Sequence, residues 1–467
     1  MLIPNPSPLS DADGLCRLGV AELTALYRKS ELSPVEVVLK TLDRAETING
    51  RYNAFTYIDH EGAIEQARAA EQRWRAGAPL SPIDGIPTTL KDIVWVKGWV
   101  VSSGSLAMQP QPQREDAPAV QRLRHAGAVF LGLTTTPEIG WKAVTDSPLS
   151  GVTRNPWMPS ATSGGSSGGA AVAAATGAGV LHLGTDGGGS VRIPASFTGT
   201  VGFKPTFARV PSYPASAFGT LAHIGPMARA AEDAEAMLAV MAGKDVRDWT
   251  QCRGEHASSE RKAIALAGAR VGYWSQPATG EVDPEVAQIV EKAVCRIASA
   301  GARVEPMQLP GIDLLDVFHH HWFCGAAARV DSIPEVDRGR LDPGLREIAR
   351  LGRQMSTGLV SAQMRRAEFG SAMDRLLDDF DVLVSPATAV AAFEAGHEVP
   401  PGGGLSRWTE WAGFSFPINL SQQPACVIPC GVTADGRPVG IQLVGARGGD
   451  YRLLSLTREV EHLLGSP

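Results

Sequence analysis

The chain has 467 residues, which is enough for one large domain or about two to three ordinary ones. Hydrophobic residues make up 44% and charged residues 20% of the sequence, a composition typical of a globular protein. The formal net charge of −6 provides no basic surface of the kind that binds nucleic acid. We therefore expect a small-molecule ligand or substrate and no nucleic-acid partner.

The sequence pattern contains no membrane or secretory signal. No apolar run reaches the roughly 18 residues of a membrane-spanning helix. Residues 1–8 contain no basic region followed by an apolar one, so we expect no secretory signal there. The six cysteines are scattered and form no Cys-x-x-Cys pair, which predicts reduced thiols and a cytoplasmic location.

Capping signals and hydrophobic periodicity predict several elements in the first third of the chain. Ser33 and Glu36 form a capping box around a proline, which predicts a helix that starts after Ser33. A second helix is predicted over about 61–76. Residues 117–126 are typical of a helix, and residues 128–133 are typical of a buried strand.

A strand–helix–strand unit follows in the second half of the chain. The pattern predicts a strand over 270–274, a helix from Asp283 to Gly301 and a strand over 303–309. Such a unit places its two strands parallel, with a right-handed crossover. The predicted fold class is therefore α/β: one large domain whose twisted, mixed and largely parallel central sheet is covered by helices on both faces. Residues 311–380 are charged and helical in pattern, and we expect them to form a peripheral lobe.

Residues 163–190 are rich in glycine, serine and alanine and carry few charges. The pattern predicts a Gly/Ser loop, a short helix over about 169–176, a strand over about 180–184 and a second glycine loop. Two flexible loops thus flank one compact helix–strand unit, which can bring the serines of both loops together. We expect a functional site at this point.

Three consecutive glycines, Gly187, Gly188 and Gly189, precede Ser190 in the second loop. Such a run can turn its backbone N–H groups toward one point and form an anion nest. A nest aimed at a carbonyl oxygen is an oxyanion hole, which stabilises the transition state of acyl transfer by about 3 kcal/mol per donor. The local sequence is equally compatible with a tight turn that ends in a helix-capping serine.

The first loop, residues 164–168, reads Gly-Gly-Ser-Ser-Gly and matches the nucleophile elbow of α/β-hydrolases. That elbow requires a strand immediately before it, and the preceding residues 155–162 are interrupted by two prolines. We therefore do not interpret the first loop as an elbow. No Gly-Lys-Ser or Gly-Lys-Thr follows either glycine run, which also speaks against a phosphate-binding loop.

A nucleophilic serine needs a general base, and no histidine has a convincing setting. His182 lies in an apolar predicted strand, which is typical of a core residue. His319, His320 and His321 are consecutive and cannot share one helix face, so we expect no metal site there. Lys91 lies among apolar neighbours, and burial would disfavour its charged form so that it can accept a proton near neutral pH. The alternative is an ordinary lysine whose charged end reaches solvent.

These segments also carry a resemblance to a known family. In chain order the motifs are residues 85–92 (Gly-Ile-Pro leading to Lys-Asp), 164–169, 184–194, 202–206, 225–229 and 429–442. In content and order they resemble the motifs of the amidase signature family, from the Ser33 helix nearly to the end of the chain. The resemblance implies that family's α/β fold as a single domain over 1–467, with a catalytic core at about 60–230.

The resemblance further implies a Ser–cis-Ser–Lys triad that needs no metal and no cofactor. Ser190 would be the nucleophile, Ser166 the bridging serine after a cis peptide bond from Gly165, and Lys91 the final proton acceptor. Protons would pass from Ser190 through Ser166 to Lys91 and then return to the leaving nitrogen. The backbone N–H groups of residues 187–190 would form the oxyanion hole.

Loop 206–220 is aromatic and proline-rich, and the corresponding stretch of the family borders the acyl pocket. The resemblance therefore makes Arg209, Tyr213 and Phe218 candidates for contact with an apolar or aromatic substrate. The alternative is that these side chains serve ordinary loop packing.

Four further positions bear on the resemblance. Asp186 and Arg192 are similar to the family's supporting polar pair, which we interpret as structural. Gly188 stands where the family often carries a larger residue, which suggests extra room or flexibility. His223 departs from the family pattern, because many members carry an acidic residue at that position.

The sequence thus predicts a stand-alone hydrolase of carbonyl–nitrogen bonds, acting through an acyl-enzyme on amides, anilides and carbamates (urethanes). Within the family it resembles bacterial aryl acylamidases and metagenomic urethanases, and we expect a monomer or homodimer. One alternative is the amidase component of a tRNA-dependent glutamine amidotransferase, which would need partner subunits. A second alternative is a non-catalytic binding protein on the same fold, against which the joint presence of Lys91, Ser166 and Ser190 speaks.

Overall fold

The computed structural model describes residues 14–251 and 264–465. Residues 1–8, where we expect no secretory signal, lie outside these ranges. Cys252 also lies outside them. Among the described residues no helix has both the length and the apolar character that crossing a membrane requires.

The helices of the described ranges are distributed along the whole chain. They are α1 (Gly14–Arg17), α2 (Val20–Arg28), α3 (Pro34–Tyr52), α4 (His60–Arg75), α5 (Pro118–His125), α6 (Gly168–Thr176), α7 (Arg192–Thr198), α8 (Ala231–Met241), α9 (Pro284–Ser299), α10 (Leu314–Asp331), α11 (Pro343–Met355), α12 (Leu359–Asp379), α13 (Phe416–Ser421) and α14 (Asp450–Leu464). The longest of them, α12, falls within the stretch whose pattern predicted helices.

The strands form one large central sheet and one small hairpin. They are β1 (Phe55–Ile58), β2 (Pro87–Lys91), β3 (Val129–Thr134), β4 (Asp146–Ser147), β5 (Gly151–Val152), β6 (Leu181–Asp186), β7 (Val201–Lys204), β8 (His223–Ala228), β9 (Arg270–Trp274), β10 (Arg303–Met307), β11 (Val382–Pro386), β12 (Ala425–Val432) and β13 (Pro438–Val444). The order of the central sheet is β1-β3-β2-β6-β8-β7-β12-β13-β11-β9-β10, and β4 pairs with β5 apart from it.

The central sheet is mixed. β2 pairs in parallel with β3 and β6, and β9 pairs in parallel with β10 and β11. Between these two parallel blocks the neighbouring strands are antiparallel, among them β7 with β8 and β12 with β13. The predicted α/β class with a mixed central sheet is confirmed. Antiparallel pairs take a larger share than the strand–helix–strand pattern predicts, because β7–β8 and β12–β13 are joined by loops rather than by crossover helices.

Local sequence signals account well for the elements around the two parallel blocks. The Ser33 hydroxyl accepts from the backbone N–H of Val35 (3.0 Å), and Glu36 Oε2 accepts from the N–H of Ser33 (2.8 Å), which completes the predicted capping box of α3. β9 spans the predicted residues 270–274 and pairs in parallel with β10, with α9 between them. β10 ends at Met307, two residues before the predicted end of that strand.

The parallel block at β2 and β6 determines where the functional loops meet. Lys91 is the last residue of β2, and Asp186 is the last residue of β6. Because the two strands are parallel neighbours, the segments that follow them leave the sheet at the same edge. In α/β sheets this carboxyl edge is the usual place for ligands. The glycine loop after β6 therefore lies next to the end of β2.

Residues 311–380 form α10, α11 and α12, as their helical pattern predicts. They do not stand apart from the core: buried side chains of these helices, such as Phe318 and Phe369, share one hydrophobic cluster with Ile193 and Phe197 of α7. The helical region thus packs directly against the part of the chain that carries the glycine loop.

The segment before β2 is held by an ion pair between the partly exposed Arg73 and the buried Asp84. The Asp84 carboxylate is fully buried and accepts from Arg73 Nε (2.8 Å), Arg73 Nη2 (2.6 Å) and the backbone N–H of Leu80 (2.8 Å). Asp84→Ala leaves these donors without an acceptor, and we expect it to lower the free energy of unfolding by about 3 kcal/mol.

Urea denaturation followed by fluorescence measures this loss. The control is Asp43→Ala, because Asp43 forms only an exposed pair with Lys40 (3.7 Å) and should change the unfolding free energy by less than about 0.5 kcal/mol. Equal effects of the two substitutions would show that the Arg73–Asp84 pair does not hold this part of the fold together.

Candidate active site

Lys91 lies at the centre of the site, with its side chain fully buried. Its Nζ is within hydrogen-bond distance of three hydroxyl oxygens: Ser166 Oγ (2.7 Å), Ser167 Oγ (2.9 Å) and Thr185 Oγ1 (2.9 Å). No carboxylate of the described residues forms an ion pair with this amine. The alternative of a lysine that reaches solvent is therefore excluded.

The burial of Lys91 changes its protonation. Desolvation lowers the pKa of Lys91 from its ordinary value to about 7, and the charge of Asp186 only partly opposes this effect. An uncharged amine has a lone pair, so it can accept a proton from one of the three hydroxyl groups around it. Ser166 Oγ, at the shortest distance, is the most suitable donor.

Ser166 follows a cis peptide bond from Gly165, as the resemblance implies. Gly165 cannot carry a side chain here, because a Cβ atom would lie 2.6 Å from the backbone carbon of Val144. The backbone N–H of Ser167 donates to the carbonyl oxygen of Ser190 (3.1 Å), which ties the first serine loop to the second. The two loops that flank α6 and β6 are thus brought together, as the sequence predicts.

Ser190 lines the same cavity as Ser166, and only 6% of its surface is exposed. In the described part of the chain its hydroxyl forms no hydrogen bond, whereas Ser166 is held by Lys91. No hydrogen bond to a described residue therefore fixes the direction of the Ser190 hydroxyl.

The Asp186 carboxylate holds the glycine loop before Ser190 through two hydrogen bonds. Oδ1 of Asp186 accepts from the N–H of Gly189 (2.8 Å), and Oδ2 accepts from the N–H of Val191 (3.1 Å). The N–H groups of Gly187, Gly188 and Ser190 donate to no atom of the described residues. Three of the four predicted oxyanion-hole donors are therefore available, and the N–H of Gly189 is already occupied.

Asp186 and Arg192 form a fully buried ion pair. Burial alone would raise the pKa of the Asp186 carboxyl, but the Arg192 guanidinium holds it well below its usual range. Arg192 also donates to Ser415 O (2.9 Å), Gln442 Oε1 (2.7 Å) and Asn419 Oδ1 (2.6 Å). The pair thus connects the glycine loop to two distant segments, which fits the structural role inferred from the sequence.

A cavity of about 580 Å³ opens above Ser166 and Ser190. Its lining is mainly apolar and aromatic: Ile93, Val94, Trp95, Val101, Met108, Ile139, Tyr213, Phe218, Ile224 and Trp322. Polar groups of the lining include Ser103, Ser212, Ser216 and Ser332. The size and the apolar character suit a small organic molecule.

Two of the three predicted pocket residues lie in this lining. The Phe218 ring stacks on Trp322 (3.8 Å between centroids, 12° between planes), and Tyr213 meets Trp95 edge to face at 6.0 Å. The interpretation of Arg209 as a pocket residue is wrong. Arg209 is buried away from the lining, where it pairs with Asp450 Oδ2 (3.0 Å) and donates to the carbonyl oxygen of Gly448 (2.8 Å).

The space beside Gly188 is occupied. A Cβ atom on Gly188 would lie 2.7 Å from the ring of Trp408 and 3.0 Å from that of Phe318, and one on Gly187 would lie 2.8 Å from the ring of Trp322. The absent side chain of Gly188 therefore makes room for aromatic rings of the protein itself and not for a ligand.

No histidine of the described residues forms a hydrogen bond with Ser166 or Ser190. His182 is fully buried and lies 2.8 Å from Thr89 Oγ1, and desolvation lowers its pKa to about 3. His319 contacts Thr409 (2.9 Å), and within the described ranges no group of three or more metal-ligating side chains occurs. His223 lines the cavity, but burial and the neighbouring Lys204 hold its pKa well below the usual range.

The sequence reasoning missed several residues of the site. Ser167 and Thr185 share the Lys91 amine with Ser166, and α10 contributes Trp322 and Arg329 to the cavity. Ser167 and Thr185 could have been inferred, since both lie within the motifs. For the two α10 residues no local signal exists, because only the fold brings that helix to the glycine loop.

Comparison with known proteins finds relatives over most of the chain. Residues 36–454 match the family model described as "Amidase". The chain is 34% identical over 453 residues to an acylamidase of Rhodococcus erythropolis, covering 95% of both chains. It is 33% identical over 470 residues to a glutamyl-tRNA(Gln) amidotransferase subunit of Symbiobacterium thermophilum, covering 94% of this chain and 95% of the relative.

Solved structures give the same result. A bacterial aryl acylamidase of the amidase signature family superposes with a TM-score of 0.87 at 28% identity, over 96% of both chains. A 6-aminohexanoate cyclic dimer hydrolase superposes with a TM-score of 0.84 at 27% identity, over 96% of this chain and 97% of the other. From the family match over most of its length, the chain belongs to the amidase signature family.

Proposed function

We propose that this chain hydrolyses amide bonds of small molecules, with Ser190 as nucleophile, Ser166 as proton bridge and Lys91 as base. The observation that carries the proposal is the 2.7 Å contact between Lys91 Nζ and Ser166 Oγ, together with the lowered pKa of Lys91. A buried amine that is partly uncharged at neutral pH, and that faces serine hydroxyls, is equipped to remove a proton.

The acylation step begins with two proton transfers. Ser190 Oγ attacks the substrate carbonyl carbon and gives its proton to Ser166 Oγ, while Ser166 gives its own proton to Lys91 Nζ. The transfer requires the Ser190 hydroxyl to point toward Ser166, and the hydrogen bond from Ser167 N–H to Ser190 O holds the two loops side by side. The negative charge that leaves the nucleophile then resides on the former carbonyl oxygen.

Backbone N–H groups of the glycine loop would bind that oxygen. Gly187, Gly188 and Ser190 have N–H groups without an acceptor in the described chain, and each such donor contributes about 3 kcal/mol to the transition state. When the tetrahedral intermediate collapses, the proton on Lys91 returns through Ser166 to the leaving nitrogen. Water then attacks the acyl-enzyme by the same route and releases the acid.

The cavity lining supports an apolar or aromatic substrate. Tyr213, Phe218 and Trp322 present ring surfaces near the nucleophile, and we propose that Tyr213 and Phe218 contact the substrate. The similarity to acylamidases favours anilides and other acyl amides. Aryl carbamates contain the same carbonyl–nitrogen bond, and we include them in the proposed substrate class.

The similarity to glutamyl-tRNA(Gln) amidotransferase subunits supports a second candidate, in which the chain hydrolyses glutamine within a complex. The cavity favours the first candidate, because the ammonium of glutamine needs an acidic partner and Asp186, the acid in the described lining, is already paired with Arg192. We therefore propose that the chain acts without partner subunits, as a monomer or homodimer. Ligand binding alone does not require a lysine of lowered pKa in contact with a serine, which speaks against a non-catalytic binding protein.

The nucleophile can be tested by Ser190→Ala. This substitution removes the attacking oxygen, and we expect kcat/KM for 4-nitroacetanilide to fall by at least about 10³-fold. Mass spectrometry should detect an acyl group on the wild-type protein after brief exposure to a 4-nitrophenyl ester, and none on the variant. Ser299→Ala, which changes an exposed serine at the end of α9, serves as the matched control. Retained turnover or acylation of the Ser190→Ala protein would contradict the mechanism.

The base can be tested by the pH dependence of kcat/KM. Lys91 acts in its uncharged form, so its activity is lost as pH falls through its pKa of about 7. We expect kcat/KM to fall about tenfold per pH unit below that value and to be constant above it. Lys91→Met should abolish turnover at every pH, whereas Lys40→Met, at an exposed position, should not.

A second group requires a control in this experiment. Burial raises the pKa of the neighbouring Asp92 carboxyl to about 7, so Asp92 could produce the same pH dependence. Asp92→Asn keeps an oxygen for the N–H of Ser102, which donates to Asp92 Oδ1 (2.9 Å), and removes the titration. If the slope below pH 7 persists in this variant, Lys91 is its source; if it disappears, the assignment to Lys91 is wrong.

The substrate class can be tested with a panel of 4-nitroanilides, aryl carbamates and glutamine. We expect the isolated chain to release nitroaniline and to hydrolyse aryl carbamates, because both substrates place a ring in the aromatic part of the cavity. Glutamine should not be hydrolysed. Ser190→Ala measured in parallel corrects for spontaneous hydrolysis. Glutaminase activity without turnover of any anilide would instead favour the amidotransferase candidate.

A further inference from the structure

The side chain of Arg329 is a cation in an otherwise largely apolar cavity. It lies on α10 and belongs to the lining, together with Met108 and Ser332. Its Nη1 donates to Ser332 Oγ (3.2 Å), and its Nη2 contacts Met108 Sδ (3.1 Å). A guanidinium has five N–H donors, and a thioether sulfur is a weak acceptor. The described contacts therefore leave most of the hydrogen-bonding capacity of Arg329 unused.

No carboxylate of the described residues neutralises this guanidinium. The acid nearest to it along α10, Asp331, pairs with Arg353 (2.6 Å) and Arg338 (3.6 Å). Arg329 is only partly buried, which lowers its pKa, and no neighbouring acid raises the pKa again. An arginine remains charged even when its pKa is lowered. Its positive charge therefore has no counter-ion among the described residues.

The other ionisable groups in the cavity lining do not neutralise the positive charge of Arg329. Asp186 is already neutralised by its buried pair with Arg192. The pKa of His223 is held well below its usual range, so His223 is uncharged. The lining thus has one uncompensated positive charge, which a ligand with one negative charge would balance.

The position of Arg329 relative to the nucleophile follows from the helix. Trp322 packs against the glycine loop, since a Cβ atom on Gly187 would lie 2.8 Å from its ring. Arg329 follows Trp322 by seven residues, or two turns, and therefore lies about 10 Å further along α10. Between them α10 touches the pocket loop at Gly325, where a Cβ atom would lie 2.6 Å from the carbonyl oxygen of Ala217. One continuous wall leads from the nucleophile to the guanidinium.

We propose that Arg329 binds a carboxylate at the end of the substrate remote from the scissile bond, and that the preferred substrates are amides with one terminal carboxylate. This inference rests on the proposed function and narrows it to a substrate class. A carboxylate fits better than a dianionic group because the lining provides one positive charge, and because a planar guanidinium binds a carboxylate through two parallel hydrogen bonds.

Paired substrates test this proposal. Each pair consists of an anilide with a terminal carboxylate and the same anilide with a methyl ketone in its place, which is neutral and of similar shape. In one series the group ends an acyl chain of increasing length, and in the other it ends an alkyl chain on the aniline. We expect the ratio of kcat/KM within a pair, carboxylate over ketone, to reach about tenfold or more at one chain length, mainly through KM.

The variants then assign that ratio to Arg329. Arg329→Gln should reduce it to about one, and Arg329→Lys should retain part of it, because lysine keeps the charge but not the two parallel hydrogen bonds. Arg350→Gln is the matched control, since Arg350 is exposed on α11 and lies outside the cavity lining. It should leave the ratio unchanged. Thermal unfolding of each variant verifies that the fold is intact.

A ratio near one in both series, with the neutral anilides turned over, would overturn the role of Arg329 and leave the proposed function standing. An equal ratio in the wild-type and Arg329→Gln proteins would also overturn it. If no anilide is turned over, the proposed function fails, and calorimetric binding of the same pairs to the wild-type and Arg329→Gln proteins decides the role of Arg329 separately. A preference in only one series supports the proposal and identifies which part of the substrate carries the carboxylate.

Discussion

The site depends on one interaction, the contact of a fully buried lysine amine with the hydroxyls of Ser166, Ser167 and Thr185. An ammonium ion in such a place is costly unless a carboxylate accompanies it, and here Asp186, the acid whose charge acts on Lys91, is already paired with Arg192. The fold therefore keeps Lys91 partly uncharged by burial. The parallel pairing of β2 and β6 makes this arrangement possible, because it ends both strands at one edge of the sheet.

The Asp186–Arg192 pair has a different task from that of Lys91. The Asp186 carboxylate accepts from Arg192 and from the N–H groups of Gly189 and Val191. The pair thereby holds the glycine loop in place. The same bonds occupy one N–H of the loop and leave those of Gly187, Gly188 and Ser190 without an acceptor among the described residues. A preorganised oxyanion site requires a loop that is held in place and backbone donors that have no acceptor of their own. The glycine loop meets both requirements.

The sequence predicted the parts of the molecule that are determined locally. The α3 cap, the β9–α9–β10 unit and the glycine run before Ser190 are all contained in short segments, so their signals are local. Arg209 was misplaced because its partner, Asp450, lies 241 residues away, and no pattern in loop 206–220 indicates that pairing. Arg329 was missed for the same reason, since Met108, its neighbour in the cavity, is 221 residues away. The antiparallel centre of the sheet likewise depends on which strands meet, and periodicity contains no such information.

The central claim is that Lys91 exchanges its proton near neutral pH, and this can be measured directly. The protein labelled with ¹⁵N at its lysine side chains gives one Nζ resonance that Lys91→Met removes, and the chemical shift of that resonance can be followed with pH. A midpoint near 7 is the result we expect, because burial lowers the pKa of Lys91 to about 7. A midpoint near the ordinary lysine value of about 10.4 would show that Lys91 stays charged at neutral pH and cannot be the base.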